Sequence, residues 1–218
     1  MITLYYCINR LPQLSLEEFQ SYWLDTHGPI AARIAGVRRY VQNHALSPAG
    51  PPPFDGVTQL YWDSLEDFRG AKGTPEVKAA LKDDRNFIDL TRMSVFLAEP
   101  RLEFDRSPEV EGIKAIWLLK RRQGLSDSEF DRLWTAMRAP LADRVPQAVR
   151  HVRSRTVGGV EGLPVEFDGV AELWFKSADA MNEVFMSPGG YAMLGGGADY
   201  VDLASSRFLM AAEKVVVS

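Results

Sequence analysis

The residue best placed to do chemistry is His27, in the segment LSLEEFQSYWLDTHGPIA that begins at Leu14. It stands four residues after Trp23 and eight after Phe19, so on a helix it continues a stripe that faces a core. An imidazole there can take or give a proton near neutral pH, and burial tunes its pKa. The structural alternative is a core histidine bonded to a backbone carbonyl where Gly28-Pro29 interrupts the helix. Asp89, after the aromatic of FID, is a candidate acid expected on a helix. Trp23, Tyr5, Tyr61, Asn43 and His44 can line a cavity as packing surfaces or hydrogen-bond donors, although aromatics at such spacings also make plain core. Strand alternation sends Asn43 and His44 to opposite faces. Glu172, between Ala171 and Leu173, is either a buried acid or an exposed alternating position.

Other chemistries find no footing. The three histidines, His27, His44 and His151, show no H-x-x-H or H-x-x-x-H spacing, and Cys7 is the single cysteine, so a local metal site and an intrachain disulfide are not expected. The glycines of SPGGYAMLGGGADY lack both the phosphate-loop lysine and the dinucleotide spacing. No G-x-S-x-G occurs. The expectation is therefore chemistry without a cofactor. Haem-assisted chemistry would need an axial histidine, which only His27 or His44 could supply.

The elements that hold these residues come in two copies. LSLEEFQSYWLDTHGPIA aligns with LSDSEFDRLWTAMRAPLA, beginning at Leu125, at a constant offset of 111, and FDGVTQLYWDSLEDF from Phe54 aligns with FDGVAELWFKSADAM at an offset of 113. Asp89 then falls opposite Asp202, and retention in both copies argues for a structural hydrogen bond or ion pair over catalysis. His27 falls opposite Arg138, which cannot exchange a proton near neutral pH and instead needs a buried carboxylate or an anion. Glu172 falls opposite Gln59.

Each copy reads strand, helix, strand, strand, helix, strand. Ile2 to Asn9 is β-branched and aromatic, and Ser15 with Glu18 forms a capping box that opens a helix. Pro29 should break that helix or restart it. Strands follow at 38–46 and 57–62, a second helix at 76–90 and a last strand at 92–97. The fold class is α+β, with two tandem ferredoxin-like (βαββαβ) units at residues 1–105 and 112–218. A four-stranded sheet with both helices on one face leaves its other face apolar, and a second sheet can cover it. The expected architecture is thus an intramolecular dimeric α+β barrel.

The segments FQSYWLDTHGP, YVQNH, FDGVAELWF and FID together resemble the EthD family. The resemblance spans both copies and implies the same paired ferredoxin-like fold. That family is functionally mixed, including a protein linked to ether-fuel degradation and relatives acting as polyketide cyclases, dehydratases or decarboxylases. It shares His27, which it implies as the acid or base, while Arg138 departs from the pattern.

With 46% hydrophobic and 25% charged residues, a net charge of −4 and no basic run, the composition is that of a globular protein whose partner is a small apolar or aromatic ligand. Neither nucleic acid nor membrane is expected, a cytoplasmic setting is, and further self-association is left open. Two function classes follow. The first is a cofactor-independent catalyst of proton transfer, by cyclisation, dehydration or decarboxylation, on an apolar or polyketide-like molecule. The second is a non-catalytic carrier or sensor of a small hydrophobic ligand.

Overall fold

A computed structural model describes residues 1–46, 50–106, 112–136, 143, 145–187 and 197–218. The first repeat runs β1 (Ile2–Ile8), helix α1, β2 (Arg39–Ala45), β3 (Gly56–Trp62), α2 (Leu65–Ala71), α3 (Pro75–Asp83), a 3₁₀ turn over Asp84–Asn86, and β4 (Ser94–Asp105). The second runs β5 (Ile113–Leu119), α4 (Asp127–Ala136), β6 (Ala148–Gly159), β7 (Gly169–Phe175), α5 (Ala178–Phe185), a 3₁₀ turn over Gly197–Asp199, and β8 (Arg207–Val217). The class is α+β, two ferredoxin-like units fused in tandem. In the first, β1 pairs antiparallel with β3 and β4, and β3 with β2. In the second, β5 pairs likewise with β7 and β8, and β7 with β6.

The compact units do not follow the repeats to the residue. Unit 1 comprises Met1–Glu99, Val157–Val165 and Glu213–Ser218, and unit 2 comprises Pro100–Thr156 and Glu166–Ala212. The end of β4 therefore belongs to unit 2, and the ends of β6 and β8 to unit 1.

Helix α1 shows how a local sequence conflict is resolved. Ser15 Oγ accepts from Glu18 N at 3.1 Å while Glu18 Oε2 accepts from Ser15 N at 2.7 Å, so the expected capping box starts the helix. Pro29 does not break it. Proline has no N–H to give back to the preceding turn and its ring crowds the carbonyl there. The backbone accommodates this by passing from α-helix (Leu16–Ser21) into a π-helical turn (Tyr22–His27) before resuming as α-helix (Gly28–Ala31). In that wider turn Gly28 N donates to Trp23 O, five residues back. The single second helix expected over 76–90 is also corrected: α2 and α3 are separate, joined through Gly73 at φ 75°, and α3 tightens into its 3₁₀ turn at Asp84.

The F-D-G motif, present once per repeat, explains the register between helix and sheet. Asp55 Oδ2 accepts from Arg10 N at 2.9 Å and its carboxylate pairs with the Arg10 guanidinium; Asp168 Oδ2 accepts from Arg121 N at 2.9 Å. The glycine that follows leaves room for a tryptophan. A methyl group on Gly56 would lie 2.3 Å from Trp23 Cζ3, and one on Gly169 would lie 2.5 Å from Trp134 Cζ3. Each indole thus rests directly on the backbone of its strand. Gly56→Ala should therefore destabilise the protein by about 1–3 kcal/mol through overpacking. A thermal melt checks this, and an unchanged midpoint would show that Trp23 can shift at no cost.

Candidate functional site

Three elements of unit 1 converge on one constellation. The π turn of α1 presents Tyr22, Trp23 and His27, the end of α3 presents Asp83 and Asp84, and β1 presents Tyr6. His27 Nδ1 lies 2.9 Å from Asp83 Oδ2, and its other nitrogen, Nε2, lies 3.7 Å from Asp84 Oδ1. Tyr22 Oη donates to Asp83 Oδ1 at 2.9 Å, and so does Asn86 Nδ2 at the same distance. Tyr6 Oη lies 3.3 Å from Asp84 Oδ2. Phe87 packs on the imidazole, ring centroids 4.9 Å apart.

The two adjacent carboxyls are in opposite states. Burial raises the pKa of Asp83, but hydrogen bonds from His27, Tyr22 and Asn86 outweigh it and hold this group below the ordinary value. Asp84 is pushed up to about 7, chiefly by burial and further by the charge of Asp83, against the bond from Tyr6. Burial also lowers the pKa of His27, although Asp83 opposes the shift. At neutral pH the imidazole is therefore uncharged. Its Nδ1 proton is given to Asp83, which leaves the Nε2 lone pair facing Asp84. Here 3.7 Å is longer than a hydrogen bond, so the base and the acid face each other without quenching one another.

These groups open onto an apolar cavity of about 110 Å³ within unit 1. Trp23, His27, Tyr6, Asp84, Tyr40 and Thr58 line it beside a wall of aliphatic and aromatic side chains that includes Leu4, Leu60 and Trp62.

The sequence profile of the EthD domain matches this chain twice, at residues 11–91 and 122–204. The chain belongs to the EthD family. No functionally curated protein has a significantly similar sequence. Among solved structures, an anthrone oxidase-like protein superposes with a TM-score of 0.69 at 14% identity, over 100% of this chain and 93% of its own. A candidate monooxygenase from Lactobacillus acidophilus superposes with a TM-score of 0.58 at 7% identity, over 98% of this chain and 94% of its own. At such identities these matches show the fold alone. An EthD family protein from Bacillus halodurans is 26% identical over 45% of this chain and 98% of its own, with a TM-score of 0.39.

The two EthD repeats share the scaffold but not these polar side chains. Phe87 N and Ile88 N both bond to Asp84 O, as Tyr200 N and Val201 N both bond to Gly197 O, so Gly197 stands where Asp84 does. Gly196 is the sequence counterpart of Asp83, Trp117 of Tyr6 and Leu133 of Tyr22. Arg138, the counterpart of His27, lies outside the described residues. The acid–base constellation is thus confined to the first EthD repeat.

Of the other sequence candidates, Trp23 and His44 stand on the helix-bearing face with His27; the imidazole of His44 stacks on Trp23 at 4.6 Å. Tyr5, Tyr61 and Asn43 lie on the opposite face of the sheet, since they alternate with Tyr6, Leu60 and His44. There Tyr5 stacks on Phe96 at 5.3 Å, and Asn43 Nδ2 donates to Val57 O and to Gln59 Oε1. Asp89 is not on a helix: it follows the 3₁₀ turn, accepts from Thr91 N and Thr91 Oγ1, and is not among the residues that line the cavity. Asp202 makes the same kind of turn with Ala204 and Ser205. Glu172 is buried in unit 2 and paired with Lys114 at 2.6 Å, each side chain 1% exposed. Among the described residues no group of three or more His, Cys, Asp or Glu side chains could hold a metal ion, and no helix is long and apolar enough to cross a membrane.

Asp84 gives the site a stability signature. Its folded pKa of about 7 exceeds the unfolded value of 3.8, so the unfolded chain releases this proton first as pH rises. Folding is thereby penalised progressively from about pH 4 to pH 7, and the penalty is constant above that. Asp84→Asn, which cannot ionise, should melt higher than the wild type at pH 8, by roughly 2–4 kcal/mol of stability, with the advantage vanishing near pH 4. Melts across pH 4–8 check this, and a wild type that is the more stable at pH 8 would show that Asp84 is ionised at little cost.

Proposed function

We propose that this EthD protein is an enzyme of small-molecule metabolism that moves protons without a cofactor, with His27 as general base and Asp84 as general acid. The observation that carries the reading is the neutral imidazole held between an ionised carboxylate, Asp83, and a carboxyl that titrates near pH 7, Asp84, at the edge of an apolar cavity. Nε2 of His27 takes a proton from an acidic carbon of the substrate. The imidazolium that forms is stabilised by Asp83, and Asp84 gives its own proton to the atom that gains electrons, so one proton enters the protein and one leaves it. If that atom is a departing hydroxyl, the net reaction is dehydration; if it stays attached, the result is tautomerisation or ring closure.

Cavity size supports a small substrate. A void of about 150 Å³ in another protein admits one benzene, so about 110 Å³ suits a molecule of a few heavy atoms and is too small for a fused polyketide ring system. The first repeat is the expected seat of activity, because the second carries glycine for Asp84 and arginine for His27. A cytoplasmic setting suits the single free cysteine, Cys7.

The test is deuterium incorporation, followed by NMR in D₂O, into a panel of small carbon acids that includes ketones and nitroalkanes. The expected result is catalysed exchange that declines as Asp84 ionises above about pH 7. It should fall about 100- to 10,000-fold in His27→Ala and persist in Arg138→Ala. A His27→Ala protein that exchanges as fast as the wild type, with both folded by thermal melt, removes the acid–base reading and leaves a ligand carrier.

A further inference from the structure

The far wall of the unit 1 cavity holds a tyrosine whose hydroxyl direction is fixed by its surroundings. Gln42 is fully buried on β2, and its Nε2 lies 2.9 Å from Trp23 O and 2.7 Å from Tyr40 Oη. A backbone carbonyl can only accept, so the atom facing it must be the amide NH₂ and not the amide oxygen. The second hydrogen of that NH₂ is then donated to Tyr40. On the other side, Gln42 Oε1 lies 2.9 Å from His44 Nε2, which must carry the proton. Burial lowers the pKa of His44 to about 4, with Lys214 adding to the shift, so the neutral Nε2–H form persists at neutral pH. The chain of donors is thus set in one direction, from His44 to Gln42 to Tyr40.

Tyr40 receives a hydrogen bond from Gln42 and still has its own proton to give. It is buried and lines the cavity, its further side-chain contact is with Trp23, whose indole can only donate, and no bond from its hydroxyl to an acceptor is seen among the described residues. Trp62, another lining residue, is in the same position, since its buried indole Nε1–H finds no partner. A buried donor left without an acceptor costs about 1–3 kcal/mol, and a cavity with two of them is built for a molecule that brings an acceptor oxygen. Tyr40 and Trp62 are diagonal neighbours on one face of the sheet, because Tyr40 pairs with Leu60 in the β2–β3 ladder. His27 and Asp84 belong to the helical layer above that face.

We infer that the occupant of this cavity is a small carbonyl compound, and that Tyr40 is the donor that holds and polarises its carbonyl oxygen while His27 and Asp84 act on the adjoining carbon and its substituent. This rests on the acid–base reading of the same site and narrows its substrate to carbonyl compounds of a few heavy atoms. Accepting from Gln42 while donating to the ligand makes the Tyr40 hydroxyl a stronger donor than an isolated phenol. Negative charge that develops on the carbonyl oxygen as His27 removes the neighbouring proton is then met by a bond already in place.

The probe is cyclopentanone, with cyclopentane as the control of the same shape without an oxygen. In the wild-type protein the infrared carbonyl stretch of bound, ¹³C-labelled cyclopentanone should fall below its value in a hydrocarbon solvent, and the ketone should bind more tightly than the hydrocarbon. Tyr40→Phe should weaken ketone binding about five- to tenfold and return the stretch towards the hydrocarbon value, while leaving cyclopentane binding unchanged. Three results overturn the inference: an unshifted stretch in the wild type, which needs no variant; a shift that survives in Tyr40→Phe and disappears in Trp62→Phe; or a ketone that does not bind. Deuterium exchange by the same samples separates the two readings. Exchange that needs His27 but is indifferent to Tyr40 removes the role of Tyr40 and leaves proton transfer standing. A Tyr40-dependent shift without any exchange establishes the carbonyl site and removes the catalysis.

Discussion

Trp23 can lie against the sheet only because residue 56 has no side chain, and much of unit 1 depends on that contact. With the indole seated on Gly56, one face is left to stack on His44, and the backbone carbonyl of Trp23 is turned to accept from both Gly28 N and Gln42 Nε2. The first of these bonds is the π-helical one that carries α1 past Pro29. The second anchors the amide that aligns Tyr40. A π turn closes on the fifth residue back rather than the fourth, so Tyr22, Trp23 and His27 come round to one side and both Tyr22 and His27 reach Asp83. A regular helix would have spread them over a broader arc.

The same seat exists in the second repeat, where Trp134 rests on Gly169, yet it supports different contacts. Arg153 stands where Gln42 does, with its guanidinium over Trp134 at 4.9 Å and its Nε bonded to Glu103 at 2.7 Å. His151, in the place of Tyr40, has its pKa lowered to about 3 by burial and by the charge of Arg153, so it is neutral. An ion pair has replaced a neutral donor chain, and glycine has replaced the acid. The packing is common to both repeats while the polar contacts differ, as expected when a duplicated unit must preserve the core but need not preserve the polar groups around it.

Much of this was legible in the sequence, and what was not has identifiable causes. The repeat, the capping box and the order of strands follow from spacing and residue type, which are local. The position of His27 on a core-facing stripe follows as well. Asp83 and Asp84 carry no signal of their own in the charged run KDDRN, which lies within the helix expected to reach residue 90; only the tightening to a 3₁₀ turn directs Asp84 inward. The same boundary decides Asp89, which lies beyond the 3₁₀ turn and off the helix. Residue type alone suits Tyr5, Tyr61 and Asn43 to a cavity, but strand parity relative to His27 decides the face, and that parity depends on which side the helices cover. Glu172 carries a sharper signal. The positions of Thr3 and Gln59, both neutral, become Lys114 and Glu172 in the second copy, and a paired change from neutral to opposite charges signals contact without alignment to any other protein.

Which of Asp83 and Asp84 keeps its proton near neutral pH turns on solvation more than on sequence, for the two are neighbours with the same side chain. Asp83 receives three hydrogen bonds, each favouring the charged form, and is partly open to water; Asp84 is buried and receives one. Two ionised carboxylates on consecutive residues would repel in a low-dielectric pocket, so fixing the charge on Asp83 itself helps to keep the proton on Asp84. The histidine transmits the same asymmetry, because its bond to Asp83 requires the proton on Nδ1 and so frees Nε2. One set of hydrogen bonds at the outer carboxylate thereby determines three protonation states, leaving base and acid 3.7 Å apart on the side of the apolar cavity. Removing the Tyr22 or Asn86 bond would weaken the anion at Asp83, let the proton redistribute between the carboxyls, and erase the distinction on which the proposed proton transfer depends.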